Sequence, residues 1–318
     1  MAANWMRRTA LVTACATAVL LAACGSSTTE SAITPSRFIA FGDATADAGQ
    51  SGASYTVNNG SVNNWTRYVA AQYGQEIKAS NQGGLNYAFG NARIAATPDA
   101  AGNTTTPTLA AQIDTFLASG GALQKNDVIL MSAGVSDMIV GLSAVIAGTQ
   151  TAAQYETSAR ALGTQYADQI RRLTNAGAKQ VVFSGTYDLG KSLWAIERGQ
   201  VTAAAAASKA FNEGLLIGLN DLGNSVLYVD LAYYINLYTF SPGSYGFTNA
   251  TTPVCTSVDP GPGIGIGTDQ VNSVRCTAST LIAGANPDVY LFADKVYFTP
   301  AAYRQFGTYA YDKLRVRW

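Results

Sequence analysis

The chain has 318 residues, with 20 Lys+Arg balanced by 20 Asp+Glu and no histidine. Zero net charge implies no basic surface for nucleic acid, and the missing histidine removes the usual general base, proton shuttle and commonest metal ligand. With 48 % hydrophobic and 13 % charged residues, the chain can bury a sizeable core in one large domain.

The N-terminus reads as an export signal. Arg7 and Arg8 form a basic n-region, and residues 9–22 an apolar, small-residue h-region too short to stop in a bilayer. It ends in Leu21-Ala22-Ala23-Cys24-Gly25, which resembles a bacterial lipobox. The resemblance implies cleavage before Cys24, acylation of that cysteine and a lipid membrane as partner. Gly25 is not the Asp that retains such proteins at the inner membrane, so the outer membrane is the expected location. Residues 25–36 are rich in Ser and Thr and read as a flexible tether. Cys15 leaves with the signal and Cys24 carries lipid. Cys255 and Cys276 then remain in an oxidising compartment, where a disulfide is expected.

From residue 37 strand-like and helix-like segments alternate. Residues 37–41 form a short apolar run, and 64–73 place Trp65, Tyr68, Val69 and Tyr73 at helical spacing. In 108–117, Leu109, Ile113, Phe116 and Leu117 share one helical face. Residues 127–131 read as a buried strand, 151–176 as a long helix capped by Thr151, 180–184 as a strand, 200–222 as an Ala-rich helix, and 225–229 and 289–292 as further strands. Thr299-Pro300 opens the last helix, where Tyr303, Phe306, Tyr309 and Tyr311 read as core packing. Such alternation predicts a parallel sheet with helices on both faces. Residues 241–286, rich in Gly, Pro, Thr and Asn, read as a surface insertion stapled by the disulfide.

Four ordered blocks carry a family resemblance. Phe41-Gly42-Asp43-Ala44-Thr45-Ala46-Asp47 follows the first strand. Gly83-Gly84-Leu85-Asn86-Tyr87-Ala88-Phe89-Gly90-Asn91-Ala92 is the second block, and Gly134-Val135-Ser136-Asp137 follows the strand at 127–131. Leu291-Phe292-Ala293-Asp294-Lys295-Val296-Tyr297-Phe298-Thr299 precedes the last helix. Together they resemble the blocks of the GDSL/SGNH ester hydrolases. Residues 180–190 and Phe211-Asn212 also fit that family. The resemblance implies a three-layer α/β/α sandwich of flavodoxin-like type across residues 37–318, with no cofactor.

The same resemblance assigns roles. The nucleophile falls at Ala44, the acid at Asp294, the base at Tyr297, and the oxyanion donors at Ala44, Gly90 and Ser136, flanked by Asp43, Asp47 and Asp137. Ala44 has no nucleophilic atom, and a tyrosine with a pKa near 10 is no base at neutral pH. Ser136 stands where the family has Asn, and Asn91 where it has a second Gly. Loss of nucleophile or base alone costs roughly a million-fold in turnover in a serine protease. Restoring Ala44→Ser with Tyr297→His is expected to regain hydrolysis, unless Lys295 pairs with Asp294 or Asn91 alters the turn after Gly90.

Other signals have plainer explanations. Ser136 lacks a neighbouring base and reads as a pocket wall. Gly261, Gly263, Gly265 and Gly267 follow no strand and read as a flexible part of the insertion rather than a nucleotide loop. Asp43, Asp47 and Asp294 fit no calcium loop. The expected function is a catalytically silent envelope homologue that binds a lipid, an acyl or glycan ligand, or a protein partner. The alternatives are an ester hydrolase with a non-standard site and a structural lipoprotein. An open cleft at Ala44, Gly90 and Tyr297 would favour binding there, and aromatic filling would favour a structural role.

Overall fold

The computed structural model describes residues 31–318 except Ser61 and Gly121. The signal segment, Cys24 and the first part of the tether lie outside the described residues.

Four parallel strands form the central sheet: β1 (Arg37–Gly42), β2 (Asp127–Ser132), β3 (Val181–Ser184) and β4 (Val226–Tyr228), in that order. Arg37 pairs with Asp127, Ile129 with Val181 and Val181 with Val226. Every residue of β2 is buried, as expected of a central parallel strand covered on both faces. Eight helices accompany the sheet among the described residues: α1 (Trp65–Gln72), α2 (Leu109–Ala118), α3 (Val135–Ile146), α4 (Ala152–Asn175), α5 (Leu193–Glu197), α6 (Val201–Ile217), α7 (Leu231–Phe240) and α8 (Pro300–Arg317).

Alternation along β1 distributes them. Phe38 meets Tyr73 at the end of α1, whereas Phe41 meets Phe116 of α2. Odd and even positions of a strand face opposite ways, so α1 and α2 lie on opposite faces. Helix α8 packs on α1 through Phe306 and Trp65, and α4 packs on α6. This is the expected α/β sandwich.

The local signals act as read. Thr151 and Gln154 form a reciprocal capping box on α4, and the Thr299 side chain accepts the Ala302 N–H, with Pro300 in the first turn of α8. Tyr303 and Phe306 are buried, and Tyr309 packs on Tyr234.

Residues 289–292 depart from expectation and do not join the sheet. Pro287–Val289 is a 3₁₀ turn started by the Asn286 side chain. Beyond it, Leu291 N–H donates to Asn249 O, and Phe292 bridges Phe298. Backbone groups that a fifth strand would need are therefore taken by Asn249 and Phe298. The insertion also differs in kind. Its Gly-rich run packs inward, with Ile264 and Ile266 buried in the main core. Cys255 and Cys276 form the expected disulfide.

Candidate active site

Strand β1 ends at Gly42, where φ is 143° and an added Cβ would lie 1.9 Å from Ser132 O of β2. Glycine alone allows that approach. Gln112 of α2 brackets the same residue: the Gly42 N–H donates to Gln112 Oε1 and Gln112 Nε2 donates to Gly42 O, both at 2.9 Å. The chain then turns inward, burying Asp43, Ala44, Thr45 and Asp47.

Asp43 anchors this turn. Its Oδ1 accepts the Thr45 N–H at 3.2 Å and the Thr45 hydroxyl at 2.8 Å, and its Oδ2 accepts the Ser136 N–H in the first turn of α3 at 3.3 Å. Behind it, Thr45 Oγ1 meets Ser132 Oγ at 2.6 Å, and Ser184 Oγ donates to Ser132 Oγ at 2.9 Å. A row of buried hydroxyls thus crosses the C-terminal ends of β1, β2 and β3. Burial raises the Asp43 pKa to about 6, against the hydrogen bonds from Thr45 and Ser136.

Asp47 takes up the backbone at Gly90. Its Oδ1 accepts the N–H groups of Gly49 and Gln50 at 2.8 and 2.9 Å, and its Oδ2 accepts the Gly90 N–H at 2.9 Å. Burial raises this carboxyl to about 6 as well. The N–H that the family pattern assigns to an oxyanion is therefore already engaged by a carboxylate.

An aromatic side chain covers the remaining space. A Cβ on Gly90 would come within 1.9 Å of the Tyr55 ring, so Tyr55 sits directly against that glycine. Tyr55 is 6 % exposed and meets Tyr297 edge to face with ring centroids 5.4 Å apart. Tyr297 is fully buried. Burial, with Asp43 and Asp294 adding, pushes its phenol well above the ordinary range, so it stays neutral and supplies no base. A cavity of about 300 Å³ beside the site is lined by Gln50, Tyr55, Gly90 and Asn91, among others, but by none of Ala44, Ser136 and Tyr297.

Asp294 is buried too, and it serves the backbone. Its Oδ1 accepts the N–H groups of Val296 and Tyr297 at 2.8 and 2.7 Å, and its Oδ2 accepts the Ser273 N–H at 3.1 Å. Burial is the first cause of its raised pKa. Lys295 turns away from it to Glu197 and Gln270. Asn91 holds φ 63° in the place of the family's glycine, a conformation asparagine tolerates better than most residues. Its side chain donates to Gly263 O at 2.9 Å. Asp137 pairs with Arg93 at 2.8 Å and accepts the Ile94 N–H at 2.8 Å, tying α3 to the residues that follow the second block. The Ser136 hydroxyl is buried, with no hydrogen-bond partner among the described residues.

Local contacts thus join Asp43 to Ser136, Asp47 to Gly90 and Asp294 to Tyr297, and the Tyr55 ring bridges Gly90 and Tyr297. Cys24 lies outside the described residues. Two site residues were not singled out from the sequence: Gln112, which looks like any polar residue on an amphipathic helix, and Tyr55, which sits in an unmarked loop.

Residues 38–309 match the family model described as GDSL-like Lipase/Acylhydrolase. A GDSL esterase/lipase of Arabidopsis thaliana is 29 % identical over 180 residues, covering 52 % of this chain and 46 % of the plant protein. The chain thus spans about half the length of that curated relative. With the family's blocks gathered at the C-terminal ends of a parallel sheet, the match over most of the chain makes this protein a member of the GDSL-like lipase/acylhydrolase family.

Proposed function

We propose that the protein is a non-hydrolysing member of this family, held at the bacterial envelope through Cys24, whose old cleft has become packed core. The observation that carries this reading is Tyr55 lying between Gly90 and Tyr297, with a buried Ala44 at the nucleophile position. An acyl group in that cleft would have to displace Tyr55 and would then meet neither a nucleophile nor a base.

The plant relative is described as an esterase/lipase. That chemistry needs a nucleophile activated by a base. The carboxylates near the cleft are buried and hydrogen-bonded to backbone N–H groups, which disfavours their use as replacement bases. A binding or structural role that uses another surface follows from this reading. A serine-reactive fluorophosphonate probe tests it. The native chain should remain unlabelled after prolonged incubation. Stoichiometric labelling that depends on the folded state would overturn the reading.

A further inference from the structure

A large cavity lies away from the old cleft. It has a volume of about 770 Å³ and runs between α6, strand β4 and the start of α7. One wall is the α6 face carrying Val201, Ala205, Ala206 and Leu216, facing Tyr228 of β4 and Ala232 of α7. Alanine keeps the groove open where a longer side chain would fill it. Leu216 is 40 % exposed, and the neighbouring Ile217 and Tyr233 are 67 % and 55 % exposed. The size and apolar walls are those of a small-molecule site, which also carries a few converging polar groups.

Here those groups include three carboxylates, Asp188, Glu213 and Asp230, beside Lys209 and the neutral polar side chains of Thr202, Ser208, Asn212 and Asn236. Asp188 follows β3, Asp230 follows β4, and both line the groove. Glu213, also in the lining, is bound to Arg160 and Lys209. Among the described residues, neither Asp188 nor Asp230 forms a close ion pair, although Lys191 opposes from a distance the rise that burial gives the Asp188 pKa, and the Tyr228 side chain hydrogen-bonds Asp230. Each uses Oδ1 to accept a backbone N–H, Gly190 for Asp188 and Tyr233 for Asp230. A half-buried carboxylate beside apolar walls is compensated best by a cation that brings its own apolar surface.

We infer that this groove binds a small cationic amphiphile, an ammonium or guanidinium group on an apolar body, with the cation at Asp188 and Asp230 and the body along α6. Because the groove is separate from the family's cleft, the inference does not depend on hydrolytic silence.

The test is calorimetry on the full chain in zwitterionic nanodiscs, with empty nanodiscs subtracted. The probes are 4-phenylbutylamine, 4-phenylbutanol and 4-phenylbutyrate. The amine should bind saturably and at least about ten-fold more tightly than the alcohol, with the carboxylate weakest. Asp188→Asn with Asp230→Asn retains a side-chain oxygen for each backbone N–H. It should lower the amine to the level of the alcohol and leave the alcohol unchanged. Ala206→Trp, at a half-buried position, should abolish binding of both. Equal affinity for amine and alcohol, amine binding unchanged in the double Asn variant, or no saturable binding would each overturn the inference.

Discussion

Tyr55 stands edge-on to Tyr297, ring centroids 5.4 Å apart, with its own ring pressed against Gly90. The contact has a direct consequence for any attempt to rebuild the catalytic machinery. With Tyr55 in place, Ala44→Ser, Tyr297→His and Ser136→Asn together should leave the protein unreactive toward fluorophosphonate. Adding Tyr55→Ala should expose the new serine and give labelling. The Gly90 N–H would still serve Asp47, so one oxyanion donor would be missing, and turnover should stay about 10²–10³-fold below that of an intact site. Circular dichroism on each variant separates loss of fold from lack of reaction, since truncating a buried aromatic costs about 3–5 kcal/mol. Labelling of the triple variant with Tyr55 intact would show that the ring is not the barrier.

The acidic pair behind the cleft predicts an unusual pH dependence. Asp43 and Asp47 titrate near 6 in the folded protein, against 3.8 for an unperturbed Asp. A raised carboxyl binds its proton more tightly in the folded state, so its contribution is most favourable at low pH and declines as pH rises from about 4 to about 6. Each carboxyl then costs the folded state on the order of 3 kcal/mol at neutral pH. Thermal melts should show a higher Tm at pH 5 than at pH 7.5, and Asp47→Asn should shrink that difference. A Tm that climbs steadily from pH 5 to pH 7.5 would contradict the assignment.

How much of this was legible depended on how local each signal was. Thr151, Thr299 and Pro300 act through neighbours three or four residues away, and the caps they announced are present. The blocks around Asp43, Gly90, Ser136 and Asp294 were visible as strings, and the fold brings them together. Helix α3 carries Val135, Met138, Ile139 and Leu142 buried at helical spacing, but Val140, Val145 and Ile146 on its other sides blur the polar face that would have marked it. The run at 289–292 looked like a strand because it is short and apolar. Its register is set instead by Asn249 and Phe298, which lie outside it. The plug was invisible for the same reason. Tyr55 acquires its role only from Gly90 and Tyr297, far away in the chain.

The disulfide should hold the plug as well as the insertion. The Asn58 N–H donates to Cys276 O at 2.9 Å, and Val57 is buried in the cluster formed with Cys255 and Cys276. Cys255→Ser with Cys276→Ser should lower stability by about 3 kcal/mol and speed amide exchange at residues 54–58, leaving β2 protected. Unchanged exchange in that loop would uncouple the two features. Native protein should show no alkylatable thiol at these positions without reduction.

The anchor is tested by fractionation. Cys24→Ala should move the protein from the membrane to the soluble fraction, and the native chain should carry a mass increment of two or three acyl chains. Among the described residues, no helix is long and apolar enough to cross a membrane. Identical fractionation of mutant and native protein would sink the lipid-anchor proposal.

Steady-state turnover of short- and long-chain nitrophenyl esters by the purified native chain bears most directly on the proposal of silence. The rate should not exceed that of heat-denatured protein, and Asp294→Asn should change nothing, because Asp294 holds backbone N–H groups and orients no base. Turnover that co-purifies with the protein and falls on Asp294→Asn or Ser136→Ala would contradict the account, because it would mean that a working site exists where Tyr55 and Tyr297 are packed together.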